Sequence, residues 1–187
     1  AMLTPWRVGD VEVNASLVAQ RGPTLGYRLE ADGASLCYLP DHEPGLGQDL
    51  ARSKLGWISG QGLARSASLL IDDCQYTDAE YPDHVGWGHS AISDALTFAR
   101  RTNCERVLLF HHDPLHTDDD LDAVQASARE RWAEIGGAPN CLEMAVEQVG
   151  AGVGERPADR RPRRARRDRH PGGDHRRLGR PVVVGEE

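Results

Sequence analysis

Short apolar runs separated by turn-forming residues recur along most of the chain. The runs are rich in Val, Ile, Leu and Tyr, which is typical of strands. Asp32-Gly33, between two such runs, predicts a tight hairpin turn. Strands are predicted at 11–19, 25–31, 35–40, 68–73, 106–110 and 141–146.

Two further segments have apolar residues at helical spacing. The segment 90–102 places its apolar side chains on one face, and Ser90 is a candidate N-cap. A second helix is predicted after Thr117, because Asp120 three residues later completes the pattern of a capping box. Strands that alternate with helices predict an α/β layered domain, with both helices packed on one face of a mixed sheet.

Composition changes near residue 150. The whole chain has 187 residues and a formal charge of −7, which does not favour a nucleic-acid partner. The final 33 residues contain 11 Arg and almost no large apolar side chains, which predicts a disordered tail. A basic arm that binds nucleic acid and a reading-frame error in the gene are alternatives. The predicted domains are therefore 1–150, which carries the fold, and an Arg/Pro-rich tail, 151–187.

The chain has neither a long apolar span nor a basic-apolar leader, so we expect a soluble, cytoplasmic protein without membrane contact. Its four cysteines are widely spaced and mostly lie in apolar runs. They are interpreted as reduced core residues rather than as a disulfide framework or a zinc site.

Carboxylates and imidazoles follow several of the predicted strands. This combination can ligate Zn²⁺, Mn²⁺ or iron in hydrolytic sites. Any one histidine at a strand end is more often a hydrogen-bonded structural residue than a metal ligand, and a Ser-His-Asp triad lacks its usual motif. The candidates are Asp41, His42 and Glu43 after one strand, Asp72 and Asp73 after the next, His111, His112 and Asp113 after a third, and His89 just before a helix.

The stretches GPTLGYRLEADGASLCYLPDHEP, ASLLIDDCQYTDAEYPDHVGWGHSAISDALTFAR and RVLLFHHDPLHTDDDLDAV together resemble the C-terminal half of a metallo-β-lactamase superfamily hydrolase. The similar branch includes ribonuclease Z and cyclic-phosphate phosphodiesterases, and the resemblance covers about residues 10–147. It implies an incomplete αββα metallo-β-lactamase-like sandwich with a dinuclear metal centre at one edge.

This resemblance also implies roles for individual residues. Asp41 would bridge two metals, His111 would ligate one of them, and His89 would act near the scissile phosphate as a proton donor or charge stabiliser. Asp73 and His112 would support the site structurally. The implied cofactor is zinc, with manganese as an alternative, and the implied substrate is a small phosphodiester or ester. Nucleic acid is a further substrate that the acidic body does not support.

The chain also departs from the family pattern. It lacks the H-x-H-x-D-H motif that supplies most of the family's metal ligands, and Gln20-Arg21 stands where a further ligand histidine is expected. We therefore expect at most weak, mononuclear metal binding and convergence of Asp41, His89 and His111 within about 4–8 Å, a range over which charges interact. A non-catalytic binding or scaffold protein is the alternative function. A half-sandwich is also expected to self-associate through its exposed sheet.

Overall fold

A seven-stranded mixed sheet organises the described chain, residues 3–138 and 141–144 of this computed structural model. The strands lie in the sheet in the same order as in the chain. They are β1 (Trp6–Val8), β2 (Val11–Val18), β3 (Thr24–Ala31), β4 (Ala34–Leu39), β5 (Leu69–Asp73), β6 (Val107–Phe110) and β7 (Leu142–Met144). The tail predicted at 151–187, and with it the proposed domain boundary, lies outside the described residues and stays a prediction.

The first four strands form an antiparallel meander. Asp32 and Gly33 both have positive φ, 51° and 76°, as a two-residue hairpin turn requires, so the predicted hairpin between β3 and β4 is confirmed. The short strand β1 was not predicted, and all three of its residues are exposed. It exists because it pairs with the edge of β2.

The last four strands are parallel, and helices cross between them. The helices are α1 (Gln61–Ala64), α2 (Ile92–Arg101) and α3 (Asp118–Glu134), with short 3-10 turns at Leu55–Trp57 and Tyr81–Asp83. The strands advance across the sheet in one direction, so right-handed crossovers place every connection on the same face. The packing of the core is consistent with this arrangement, because Leu70 and Leu109 of the sheet lie in one buried cluster with Phe98 of α2 and Trp132 of α3.

The two helix starts differ in how well they were predicted. Thr117 and Asp120 form the predicted capping box, in which each side chain bonds the other residue's backbone N–H. Ser90 is not the N-cap of α2, so that prediction was wrong. Ala91 holds this position, and the Ser90 hydroxyl instead donates to the carbonyl of His42 at 2.7 Å. A tertiary contact has thus replaced the local cap.

The opposite face of the sheet carries apolar side chains that no described helix covers. Residues paired directly across neighbouring strands point to the same face, so the register defines continuous rows. One row contains Leu29, Leu36 and Leu69, and the next contains Tyr27, Tyr38, Ile71 and Leu108. The described chain therefore supplies one helical layer and one sheet of the expected sandwich.

The cysteines lie as predicted. Cys37, Cys74 and Cys104 are buried with free thiols, and Cys141 is half-buried. None of the helices in the described residues is long and apolar enough to cross a membrane.

Candidate metal and proton-transfer site

The carboxyl ends of three parallel strands meet at one edge of the sheet. Asp41 lies two residues beyond β4, Asp73 ends β5 and His111 directly follows β6. Neighbouring parallel strands deliver the residues at their carboxyl ends to the same crevice, which is where ligands bind in open α/β sheets. His89 reaches this edge from the loop that precedes α2.

Four side chains converge here. Asp41, Asp73, His89 and His111 each offer one ligand atom, and these atoms all lie within 4.8 Å of one another. Nε2 of His111 is 3.4 Å from Oδ1 of Asp41, and the ring centroids of His89 and His111 are 5.0 Å apart. The predicted convergence of Asp41, His89 and His111 is therefore present, and Asp73 joins it. The chemical roles assigned to these residues stay predictions.

Asp73 anchors the site. Its side chain is fully buried, and Oδ1 accepts hydrogen bonds from the backbone N–H groups of Gln75 (3.0 Å) and Ser90 (3.1 Å). Oδ2 accepts from the N–H of His42 (3.3 Å) and from Nδ1 of His89 (2.6 Å). A carboxylate has about four lone-pair positions, and these four donors fill them. Asp73 is therefore suited to fixing His89 rather than to ligating a cation.

The surroundings of His89 favour its protonated form. Burial alone would lower the pKa of this imidazole, but the hydrogen bond to Asp73 and the negative charges of Asp73, Asp41 and Glu43 outweigh burial, so the pKa is raised above its usual 6.5. Because Nδ1 faces a carboxylate, it donates in either protonation state. The proton that the ring gains or loses is thereby assigned to Nε2.

Asp41 and His111 form the accessible part of the site. Their side chains are 37 % and 38 % exposed, in contrast to the fully buried Asp73. His111 also adopts a left-handed backbone conformation, φ 61°, which is uncommon for a residue other than glycine. The strand ends abruptly at this residue, and its ring turns toward Asp41. A carboxylate and an imidazole at this separation and exposure can both reach one ion.

Glu43 has a different environment although it lies only two residues from Asp41. Its carboxylate is fully buried and accepts three hydrogen bonds of 2.8 Å, from the Tyr81 hydroxyl and the backbone N–H groups of Gly86 and Gly88. These partners were not anticipated from the sequence. The two glycines that flank Trp87 were the available signal, because their positive φ angles allow the backbone to turn both N–H groups inward.

His42 and Asp72 form a second buried pair, outside the site. His42 donates from Nε2 to the carbonyl of Ser59 at 3.1 Å, and its Nδ1 lies 3.1 Å from Oδ1 of Asp72. Burial raises the pKa of Asp72, and the contact with His42 opposes that rise. Both side chains are fully buried, so this pair supports the strand ends from inside the core.

The remaining candidates also have structural partners. Nδ1 of His112 lies 3.4 Å from the thiol of Cys74, and Asp113 accepts from the N–H of Leu115 in a turn. Neither residue belongs to the four-residue cluster. Of the predicted strand-end candidates, the structure thus brings together Asp41, Asp73, His89 and His111, and directs the others elsewhere.

Gln20 occupies the place where a ligand histidine was expected. Its side chain lies against Gly88, where an added Cβ would come within 2.8 Å of Cγ of Gln20. Its side-chain oxygen accepts from the N–H of Gly22 at 2.6 Å. The oxygen of Gln20 is thus used in a local turn.

Comparison with known proteins gives consistent results. Residues 4–112 match the model of the beta-lactamase superfamily domain. A ribonuclease Z from Kineococcus radiotolerans is 26 % identical over 161 residues, which cover 70 % of this chain and 51 % of that protein.

Solved structures are similar as well. The metallo-beta-lactamase fold protein YhfI from Bacillus subtilis aligns with a TM-score of 0.55 at 18 % identity, covering 76 % of this chain and 49 % of that one, which is a likeness of fold. The short form of human tRNase Z aligns with a TM-score of 0.47 at 26 % identity, over 58 % of this chain and 38 % of that one. The chain spans about half the length of the ribonuclease Z and of YhfI.

Proposed function

This chain belongs to the metallo-β-lactamase superfamily, and we propose that it forms part of a metal-dependent centre that hydrolyses phosphodiesters. The observation that carries the proposal is the convergence of Asp41, Asp73, His89 and His111 at the edge of the sheet. Carboxylate and imidazole ligands match the donor set of zinc or manganese in hydrolytic enzymes.

Asp41 and His111 are the proposed metal ligands. The residues fit a cation because the two side chains are near each other, partly open to solvent and not saturated by backbone donors in the way that Asp73 is. A bound zinc or manganese ion would polarise a phosphoryl oxygen and lower the pKa of a coordinated water. The described ligands suffice for one weakly held ion, which agrees with the local engagement of Gln20.

His89 is the proposed catalytic residue, as a general acid. Its raised pKa favours the protonated ring, and Nε2 is the atom that would deliver the proton to the leaving oxygen. Asp73 orients the ring and stabilises its charged form through the 2.6 Å contact with Nδ1. These different roles explain why Asp73 is buried and accepts four hydrogen bonds, while Asp41 is partly exposed.

The proposed substrate is a small phosphodiester. Similarity to a ribonuclease Z supports phosphodiester chemistry, while the negative charge of the chain disfavours a large polyanion. Free, buried cysteines favour a reducing compartment, so we place the protein in the cytoplasm.

The face of the sheet opposite the helices supports self-association. Its rows of half-buried apolar residues, which include Tyr38 and Ile71, would lose their remaining contact with water if a second sheet covered them. We propose that a second copy of the chain does so, as two sheets pack in a sandwich.

A non-catalytic binding or scaffold protein that kept the fold is the second candidate function. It is favoured by Gln20, whose oxygen is held in a local turn where a ligand histidine was expected. Metal binding distinguishes the two functions.

The test measures metal binding by calorimetry, and metal content by plasma mass spectrometry, in Asp41→Asn and His111→Gln. Asp41→Asn removes the negative charge of one ligand and His111→Gln removes the imidazole nitrogen of the other, so we expect affinity for Zn²⁺ or Mn²⁺ to fall by about tenfold or more. The matched controls are Asp113→Asn and His116→Gln, which make the same chemical changes outside the cluster and should bind as the wild type does.

A third variant separates metal binding from proton transfer. His89→Gln should retain metal but lose hydrolysis of bis(4-nitrophenyl) phosphate. Undetectable metal binding in the wild type, or binding that Asp41→Asn and His111→Gln leave unchanged, would favour the non-catalytic function.

A further inference from the structure

We propose that Glu43 is the positioning residue that holds His89 opposite Asp41, through its hydrogen bonds to the loop at 81–88. The inference rests on the role proposed above for His89. In this way the chain fixes the distance between two residues of the site that come from different elements.

The first step is the cost of burying Glu43. A carboxylate with no exposed surface loses its hydration, which is strongly unfavourable unless hydrogen bonds replace the lost water. Three donors at 2.8 Å replace it here, and two of them are backbone N–H groups of the same loop. The hydrogen bonds therefore offset the cost of burying the Glu43 carboxylate only when that loop is in place.

The second step is the position of the loop. Glu43 follows Asp41 by two residues, and its own N–H donates to the carbonyl of Ala19 at 2.9 Å, which fixes it to the end of β2. Gly88 precedes His89 directly. A bond from Glu43 to the N–H of Gly88 therefore ties the segment that carries Asp41 to the residue next to His89.

The third step is the sequence of the loop. Gly86 and Gly88 have φ of 83° and 97°, values that other residues rarely adopt, and a side chain at Gly88 would collide with Gln20. The residue between them, Trp87, is half exposed and packs its ring on His84 with centroids 4.9 Å apart. The two glycines therefore serve to present N–H groups to Glu43.

Glu43 itself is not a ligand candidate. Both of its oxygens are engaged by donors, and it lies outside the four-residue cluster. Its effect on the site is therefore indirect, through the backbone that carries His89.

The test uses Glu43→Gln in the full chain, with no metal or substrate added. An amide has one acceptor oxygen and one donor group, so at least one of the three buried donors faces another donor. We expect the ring N–H of His89, which bonds Asp73 in the wild type, to broaden or vanish in NMR spectra of ¹⁵N-histidine-labelled protein. Exchange of the Gly86 and Gly88 amides should accelerate about tenfold or more, which corresponds to a loss of about 1.4 kcal/mol.

The matched control is Glu80→Gln, the same chemical change on the neighbouring segment. Glu80 bonds Thr77 and His116 instead of the 86–88 backbone, so the His89 signal should stay as in the wild type. Tyr81→Phe removes one donor and leaves both glycine N–H groups, and should likewise preserve that signal.

Two results would overturn the proposal: an unchanged His89 signal in Glu43→Gln, or an equal disturbance in Glu80→Gln. If Glu43→Gln does not fold, the wild type and Tyr81→Phe decide. In both, the Gly86 and Gly88 amides must exchange more slowly than exposed loop amides, and equally fast exchange contradicts the inference. These readouts need neither metal nor turnover, so failure of the proposed hydrolysis would leave them unaffected.

Discussion

Replacing Asp73 by asparagine tests the anchor of the site. The side chain keeps its shape, but one of its two oxygens becomes an NH₂ group. Asp73 accepts four hydrogen bonds in a fully buried position, two at each oxygen. Whichever oxygen is replaced, two donors then face a donor.

The smallest loss of stability is expected when the NH₂ group of the new asparagine takes the position of Oδ2. His89 can then change tautomer and accept at Nδ1, but the N–H of His42 is left without an acceptor. A buried donor without an acceptor costs about 1–3 kcal/mol, and the lost charge-assisted bond to His89 costs about 1.5–3 kcal/mol. We therefore expect Asp73→Asn to lower the free energy of unfolding by about 2.5–6 kcal/mol, a large part of the roughly 5–15 kcal/mol typical of a folded domain.

Urea denaturation followed by circular dichroism measures this loss. Asp113→Asn is the matched control, because it makes the same change at a turn near the site and should cost about 0.5 kcal/mol or less. A loss below about 1 kcal/mol in Asp73→Asn would refute the assignment of four simultaneous hydrogen bonds, since a single orphaned donor already costs that much.

Two further predictions concern stability against pH and association. Burial opposes ionisation of Glu80, but hydrogen bonds from His116 and Thr77 lower its pKa from the ordinary 4.5 to about 2. The ionised carboxylate therefore stabilises the folded state above pH 4.5, and this stabilisation is lost as the pH falls toward 2. Because the Glu80 side chain is 41 % exposed, Glu80→Gln should lower the free energy of unfolding in urea by at most about 1 kcal/mol at pH 7 and by nothing near pH 2. A loss of stability that persists at pH 2 would contradict this assignment. For the sheet face, light scattering should show association of the wild type at about tens of micromolar. Tyr38→Glu should make the protein monomeric. Leu115→Glu, which places the same charge at an 87 % exposed position elsewhere, should leave association unchanged. A monomeric wild type would count against association with a second copy.

Much of the fold was predictable because apolar runs and helical spacing report burial directly. The strands at 25–31 and 106–110 and the capping box at Thr117 were found in this way. Strand β1 was not, since its exposed residues carry no burial signal and it forms only by pairing with β2. Ser90 was assigned wrongly because its hydroxyl bonds a residue distant in the sequence.

The site was predictable to the level of the strand ends but not to the level of individual side chains. Parallel strands bring Asp41 and His111 to one edge of the sheet, however the individual side chains are packed. Three consecutive residues, Asp41, His42 and Glu43, nevertheless have three different surroundings: the open site, the core and the loop at 81–88. Local sequence cannot separate them, because each direction is set by partners that arrive much later in the chain.

Strand order in the sheet repeats strand order in the chain, and this has a consequence for folding. Each strand can therefore dock on the edge left by the previous one, and none must be inserted between two that have already paired. The antiparallel meander closes through short loops at little entropic cost and can form first as a template. Asp41 is then in place at its margin, Asp73 and His89 follow with the next crossover, and His111 completes the cluster last. A mutation that slows a late crossover would therefore delay assembly of the site while the template formed at its normal rate.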